Sequence, residues 1–314
     1  MFESDFRVPR AVLIEQSISS VNPGRVLVLG ASGFVGSHLC RRLALEGWIV
    51  GAVSRSVAPS TSQFSGVTWL QLPSDVSELF DSFQPTAVVN AAVCYGRGSE
   101  PLSEMVSVNL WLPLRLAELC DLAAARFIHL DTFSWKPRTG AFIDNPYTRT
   151  KRLAGELLVQ MSTHRMCSVI ARLEFPYGPG DRAHKLIPAL LKAFMNDDPT
   201  FEMSNATQYR DFIWIEDVTM AISRMLMFDL PRGVTEIEVG TGTSMPLREF
   251  VSLLRIATGA TTSVKYGVLP RLVGDMDCSE ADTSWLRSIG AVPQVSPEEG
   301  CRRLVEAIIQ QTSP

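Results

Sequence analysis

The chain has 314 residues, 33 of them acidic against 29 Lys and Arg, for a net charge of -4, with 46 % hydrophobic and 20 % charged residues. This is ordinary globular usage, long enough for one large domain with an appendage, and no Lys/Arg-rich run offers the charge needed to grip nucleic acid or an anionic membrane. Six scattered cysteines (Cys40, Cys94, Cys120, Cys167, Cys278, Cys301) and four histidines show no metal spacing, the start MFESDFRVPR is unlike a signal peptide, and no apolar run approaches the ~20 residues that span a bilayer, so reduced, mostly buried thiols, no metal and a cytoplasmic location are expected.

Residues 1–24 form an extension ahead of the first strand. Residues 25–29 (RVLVL) are a short apolar run that gives way to a Gly-rich turn and a helical pattern through Glu46, ended by Gly47. Further β-branched runs follow at Ile49–Val53, Val67–Leu70, Ala87–Asn90, Phe127–Leu130 and Ser168–Leu173, separated by helix-length stretches. That alternation predicts an α/β, Rossmann-type, doubly wound parallel sheet covered on both faces. Leu102–Ala125 and Tyr147–Thr163 repeat apolar residues at three- and four-residue steps and read as its longest helices. Beyond Phe175 the alternation ends at Gly178-Pro179-Gly180, so residues 25–175 are the expected dinucleotide-binding domain. Residues 176–314 are mainly a smaller C-terminal α/β substrate lobe, with some segments returning to the first domain.

Gly30-Ala31-Ser32-Gly33-Phe34-Val35-Gly36 lies directly between a predicted strand and a predicted helix. Small residues there let a backbone approach a pyrophosphate, which the helix N-terminus attracts; the alternative is a tight turn that only helps the helix pack. Where an acid would bind the ribose hydroxyls of NAD, the chain reads Val53-Ser54-Arg55-Ser56. Ser54 and Arg55 suit a 2'-phosphate, so NADP(H) is expected, against a merely solvated arginine. Asn90-Ala91-Ala92 ends the fourth strand with small residues that either receive the adenosine half or pack under a helix.

Tyr147 and Lys151 stand four residues apart on one helix face. A phenol ionises near ~10, too high for acid-base work at neutral pH, and a neighbouring cation lowers it; Lys151 can also bond the nicotinamide ribose, whereas the bland reading is a snorkelling lysine. A hydroxyl at the end of the fifth strand completes the set. Thr132 lies nearer that end than Ser134 and is preferred, while Asn109 either faces the same cleft or lies on a helix surface.

The G-x-x-G-x-x-G spacing resembles the short-chain dehydrogenase/reductases. Together with Cys94-Tyr95-Gly96-Arg97, Asp131-Thr132-Phe133, Arg172-Leu173-Glu174, Tyr177-Gly178-Pro179-Gly180-Asp181 and Tyr266-Gly267-Val268-Leu269-Pro270-Arg271, the chain from about 25 to 310 resembles the extended, nucleotide-sugar type, in particular the sugar 4-ketoreductases of the CDP-abequose and CDP-paratose synthase group. The resemblance implies NADPH-dependent reduction of an NDP-4-keto-6-deoxysugar, with a 4-epimerase or a non-catalytic NADP-sensing regulator as alternatives. It implies a homodimer through the two long helices and a diphosphate grip by Arg210. By location Arg182, Lys185 and Arg271 join that anion site. Phe175 stands where many relatives carry a diphosphate-contacting asparagine, and Asp75 reads as a helix cap rather than the acid beside adenine. The Asp-Glu pair that follows the threonine of a dehydratase is replaced by Phe133-Ser134, which removes the acid and base that chemistry needs.

Overall fold

A computed structural model describes residues 23–55, 66–96, 100–137, 139–163, 166–272 and 274–312. Most of the N-terminal extension, Ser56, Arg97 and His164 therefore lie outside the described residues.

The first half runs through β1 (Arg25–Leu29), α1 (Phe34–Leu45), β2 (Ile49–Ser54), β3 (Val67–Gln71), α2 (Ser77–Phe83) and β4 (Ala87–Asn90). A long helix follows, made of α3 (Leu102–Val106), a π-helical turn (Ser107–Trp111) and α4 (Leu112–Ala123), and leads to β5 (Arg126–Thr132). A hairpin of β6 (Trp135–Lys136) and β7 (Ala141–Phe142) precedes α5 (Pro146–Gln160) and β8 (Cys167–Leu173). The second half contains β9 (Phe175–Tyr177), α6 (Leu186–Met195), β10 (Thr200–Met203), β11 (Tyr209–Arg210), β12 (Phe212–Trp214), α7 (Ile215–Met227) and β13 (Gly233–Val239). It ends with β14 (Met245–Pro246), α8 (Leu247–Thr258), β15 (Ser263–Tyr266), α9 (Ser284–Ser288) and α10 (Pro297–Thr312).

Seven strands form one sheet in the order β13-β8-β5-β4-β1-β2-β3, with every pairing parallel. Alternation along the strands sends side chains to two cores. Val26 and Val28 of β1 join one that extends to α1, α7 and the C-terminal helices, while Leu27 and Leu29 join the other, against α2, α4 and α5. β13 is 60 residues beyond β8 in sequence yet pairs with it from Cys167–Gly233 to Leu173–Val239, so the sheet is completed from within the region the sequence assigns mainly to the smaller lobe. The remaining short strands pair as β9 with β12, β10 with β15 and β11 with β14.

The helix expected over Leu102–Ala125 is not uniform. Pro113 has no N–H to donate to the carbonyl four residues back, that of Asn109, and the ladder widens there: the Leu112 N–H reaches the Ser107 carbonyl instead. Asp75 caps α2, its carboxylate accepting from Ser77 N at 2.9 Å. Asn145 caps α5 in the same way through Thr148 N. Among the described residues no helix is long and apolar enough to cross a membrane, and the six cysteines are free thiols, four of them buried.

Candidate active site

The C-terminal ends of β1, β4, β5 and β8 open into a cleft of about 380 Å³, where a doubly wound sheet presents its ligand site. The turn after β1 supplies the floor. Gly30 has φ +75°, and a Cβ there would sit 2.7 Å from the Ala91 backbone; a Cβ on Gly36 would sit 2.2 Å from the Gly30 carbonyl oxygen. Both glycines are demanded by close approach. Gly33 caps α1 without a side chain, and no acidic residue stands in that helix's first turn, so its open N–H groups and dipole favour an anion. A cradle that side chains would fill, ending on a helix N-terminus, fits a dinucleotide pyrophosphate.

Gly33, Phe34, Val35, Gly36, Ala91, Tyr147 and Lys151 of the expected cofactor contacts line this cleft, as does Thr132. Gly30 shapes it from behind. Ser32 is exposed and Ser54 buried at the end of β2, and neither lines it. Arg55 also stands outside the lining, with Nη1 2.8 Å from Glu104 of α3.

On β5, Ser134 turns out to be a partner of Thr132 and no rival. Thr148 Oγ1 donates to Ser134 Oγ at 3.0 Å, and Ser134 Oγ lies 3.1 Å from Thr132 Oγ1, a contact in which either hydroxyl can donate. Thr132 Oγ1 also accepts from Ser134 N, and Thr132 lines the cleft. Tyr147 is half-buried, its ring 5.0 Å from that of Tyr95.

Lys151 is almost fully buried. Its Nζ donates to the Leu130 carbonyl at 2.6 Å and lies 3.1 Å from His129 Nε2. Burial pulls its pKa down to about 8, against the attraction of Asp131. The same burial pushes Asp131 up and holds His129 well below its ordinary value, with Lys151 adding to the latter. Asp131 faces Arg172 across the β5–β8 register, their ion pair 3.3 Å apart, and the Arg172 guanidinium lies over the Trp135 ring. Asn109 is neither in the cleft nor on a surface. It is wholly buried in the π-helical turn, bonding both the N–H and the carbonyl of Cys94 and reaching Thr150 on α5, so it ties the loop after β4 to α5.

Of the cations expected at a diphosphate, Arg182, Lys185 and Arg210 line the cleft and Arg271 does not. Arg271 turns to Asp277 (2.6 Å) and the Asp275 carbonyl. Arg210 is buried, ion-paired with Asp275 and donating to the Tyr209 and Met276 carbonyls. Lys185 pairs with Asp181 at 2.9 Å, and Arg182 lies 5.9 Å over the Tyr95 ring. Phe175 lines the cleft between Phe133 and Phe212 as an apolar wall.

Sequence reasoning missed His129, Asp131 and Arg172 as neighbours of Lys151. A polar residue at every second position of an otherwise apolar strand, as in His129-Leu130-Asp131, was the available signal.

Comparison with known proteins matches residues 26–238 to the NAD dependent epimerase/dehydratase family. A CDP-abequose synthase of Salmonella muenchen is 31% identical over 284 residues, covering 90% of this chain and 97% of that protein. The dTDP-6-deoxy-L-talose 4-dehydrogenase (NAD(P)(+)) of Kitasatospora kifunensis is 29% identical, covering 93% and 97%. The structure of MoeE5 in complex with UDP-glucuronic acid and NAD superposes with a TM-score of 0.78 at 25% identity, covering 92% of this chain and all of that one.

Proposed function

The chain belongs to the NAD dependent epimerase/dehydratase family, and on that premise we propose that it reduces the C4 ketone of a CDP- or dTDP-linked 4-keto-6-deoxysugar with NADPH. The coarser statement, an NAD(P)-dependent enzyme acting on nucleotide sugars, follows from its relatives. The finer one rests on one observation. Thr132, Tyr147 and Lys151 converge on the cleft beside the glycine turn, while Phe133-Ser134, with Ser134 tied to Thr132 and Thr148, offer no second acid and base.

NADP(H), when bound, supplies the hydride. Gly33 and the first turn of α1 hold its pyrophosphate, Ala91 its adenosine half, Ser54 and Arg55 its 2'-phosphate, and Lys151 its nicotinamide ribose. Thr132 donates to the substrate carbonyl oxygen from one side and Tyr147 from the other, which places two donors where negative charge develops. Tyr147 then gives its proton to the alkoxide. Arg182, Lys185 and Arg210 face the nucleotide diphosphate. The helices α3–α4 and α5 leave Leu102, Trp111, Leu153 and Val159 substantially exposed, and we assign that face to a homodimer, to be checked by light scattering.

The test is a panel of CDP- and dTDP-4-keto-6-deoxysugars, with and without the 3-hydroxyl. At least one is expected to oxidise NADPH stoichiometrically and to carry deuterium from labelled cofactor at C4 alone. Protein that purifies with NAD+ and interconverts 4-hydroxy sugars without added cofactor is an epimerase, the reading that the NAD in MoeE5 favours.

A further inference from the structure

Beneath the catalytic helix lies a chain of buried polar groups that the proposed reaction does not use. The Ala92 N–H donates to Asn90 Oδ1 at 3.2 Å, Asn90 Nδ2 lies 3.2 Å from His129 Nδ1, and His129 Nε2 lies 3.1 Å from Lys151 Nζ, which donates to the Leu130 carbonyl. Asn90 and His129 are fully buried, so every one of these contacts substitutes for water.

The chain has a direction. Because Asn90 Oδ1 accepts from a backbone N–H, its amide nitrogen faces the ring and must donate to Nδ1. A neutral imidazole carries one N–H, and it is then on Nε2, pointing at Lys151. An ammonium has no lone pair with which to accept that hydrogen, whereas an amine has one. Protonating Lys151 without conflict requires His129 to shift its hydrogen to Nδ1, Asn90 to reverse its amide, and the Ala92 N–H to lose its acceptor.

We propose that Asn90 and His129 are positioning residues that fix the direction of the hydrogen bond to Lys151 and so set the pH at which its amine takes a proton. The inference rests on the reading of Lys151 as part of the catalytic set. Other ionisable groups around Lys151 are Asp131 from β5, Arg172 from β8 and Tyr147 from its own helix. Of the helices packed on α5, α3 turns Glu104 to Arg55, α4 pairs Arg115 with Glu118 at the surface, and the π-helical turn brings the neutral Asn109 to Thr150. Asp131 favours the ammonium and Arg172 and burial oppose it, and the directed chain adds to the opposing side. Ala92 lines the cleft, so the charge on Lys151 is also coupled to whether a backbone N–H there is already engaged.

The chain has only five lysines, Lys136, Lys151, Lys185, Lys192 and Lys265, so side-chain NMR of lysine-labelled enzyme resolves each, with Lys151→Met assigning its signal. Above the Lys151 midpoint, wild-type His129 is expected as the Nε2–H tautomer by ring 15N shifts. Asn90→Asp keeps the shape but offers an acceptor to Nδ1, so it should move the ring hydrogen to Nδ1 and raise the Lys151 midpoint by roughly one pH unit or more. The limb of the kcat–pH profile that follows Lys151 should move with it. His129→Gln, which has no tautomer, should also raise the midpoint, and adding Asn90→Asp to it should then shift it by less than Asn90→Asp does alone, the remainder being the attraction of the new carboxylate. An Nδ1–H tautomer in the wild type above the Lys151 midpoint overturns the proposal. So does an unmoved midpoint in folded Asn90→Asp or, if that variant does not fold, in His129→Gln. The NMR readouts need no substrate, so they stand or fall separately from the ketoreductase reading.

Discussion

The polar row on β5 and α5 and the cations expected at the ligand phosphates are held in opposite ways. Thr132 and Lys151 rest on hydroxyls, a ring nitrogen and a backbone carbonyl, partners that orient a side chain without neutralising it. Arg55, Lys185, Arg210 and Arg271 each rest on a carboxylate of the same chain. The first region is organised before any ligand arrives. In the second, a phosphate bound as proposed would have to share or displace Glu104, Asp181 or Asp275, so its binding would be a competition with a carboxylate. That difference predicts where substitutions cost turnover and where they cost stability or affinity.

The largest effect belongs to the organised row. Tyr147→Phe should lower kcat by roughly two to four powers of ten with cofactor affinity little changed, the range for a positioned proton donor; steady-state turnover at the wild-type level would remove Tyr147 from the chemistry. Next comes the buried pair. Arg210→Ala leaves the largely buried Asp275 carboxylate only the longer ion pair to Arg271, at 3.6 Å, and should destabilise the fold by about 2–3 kcal/mol in urea titrations. Arg210→Ala combined with Asp275→Asn should regain most of that while the KM for the nucleotide sugar stays high. If the double variant restores KM as well, Arg210 holds only the fold.

Arg55→Ala should weaken NADPH by about 1.5–3 kcal/mol and leave NADH nearly untouched, as a charge-assisted bond to a 2'-phosphate requires. Equal losses for the two cofactors place Arg55 outside the phosphate site. Its partner Glu104 sharpens the same point with a smaller effect. Exposed ion pairs contribute about 0–1 kcal/mol, so Glu104→Gln should tighten NADPH by no more than that, and a weaker NADPH complex contradicts the competition.

Lys151 makes the mildest prediction near neutrality. Its pKa is about 8 in the folded protein against an ordinary 10.5, so between those values the unfolded chain binds more protons and stability rises with pH. Lys151→Met should flatten that rise in thermal melts taken across the window. A rise that persists unchanged in Lys151→Met assigns it to other groups.

Much of this was legible in the chain order of its residues. The strand-turn-helix at Gly30–Gly36, the parallel alternation through β8 and the four-residue step from Tyr147 to Lys151 are local patterns, set by chain geometry over a few residues, and they located the fold and one wall of the cleft. Thr132 was placed at the end of β5 and on the cleft because a strand end is also local. What sequence spacing does not carry is register between distant strands and the direction of buried side chains. Arg172 meets Asp131 only because β8 pairs with β5 at that register. Asn109 is buried rather than presented to the cleft because Pro113 breaks the helical ladder above it. β13 crosses from the far part of the chain to close the sheet. Arg210 and Arg271 read in the sequence as free cations, yet folding brings Asp275 and Asp277 to them, since a buried or half-buried guanidinium in low dielectric is stable only beside an acceptor. The sequence by itself determined the dinucleotide-type fold and which side chains are candidates for the chemistry, and only the tertiary structure decided which of their charges are already engaged, because that depends on contacts between elements far apart along the chain.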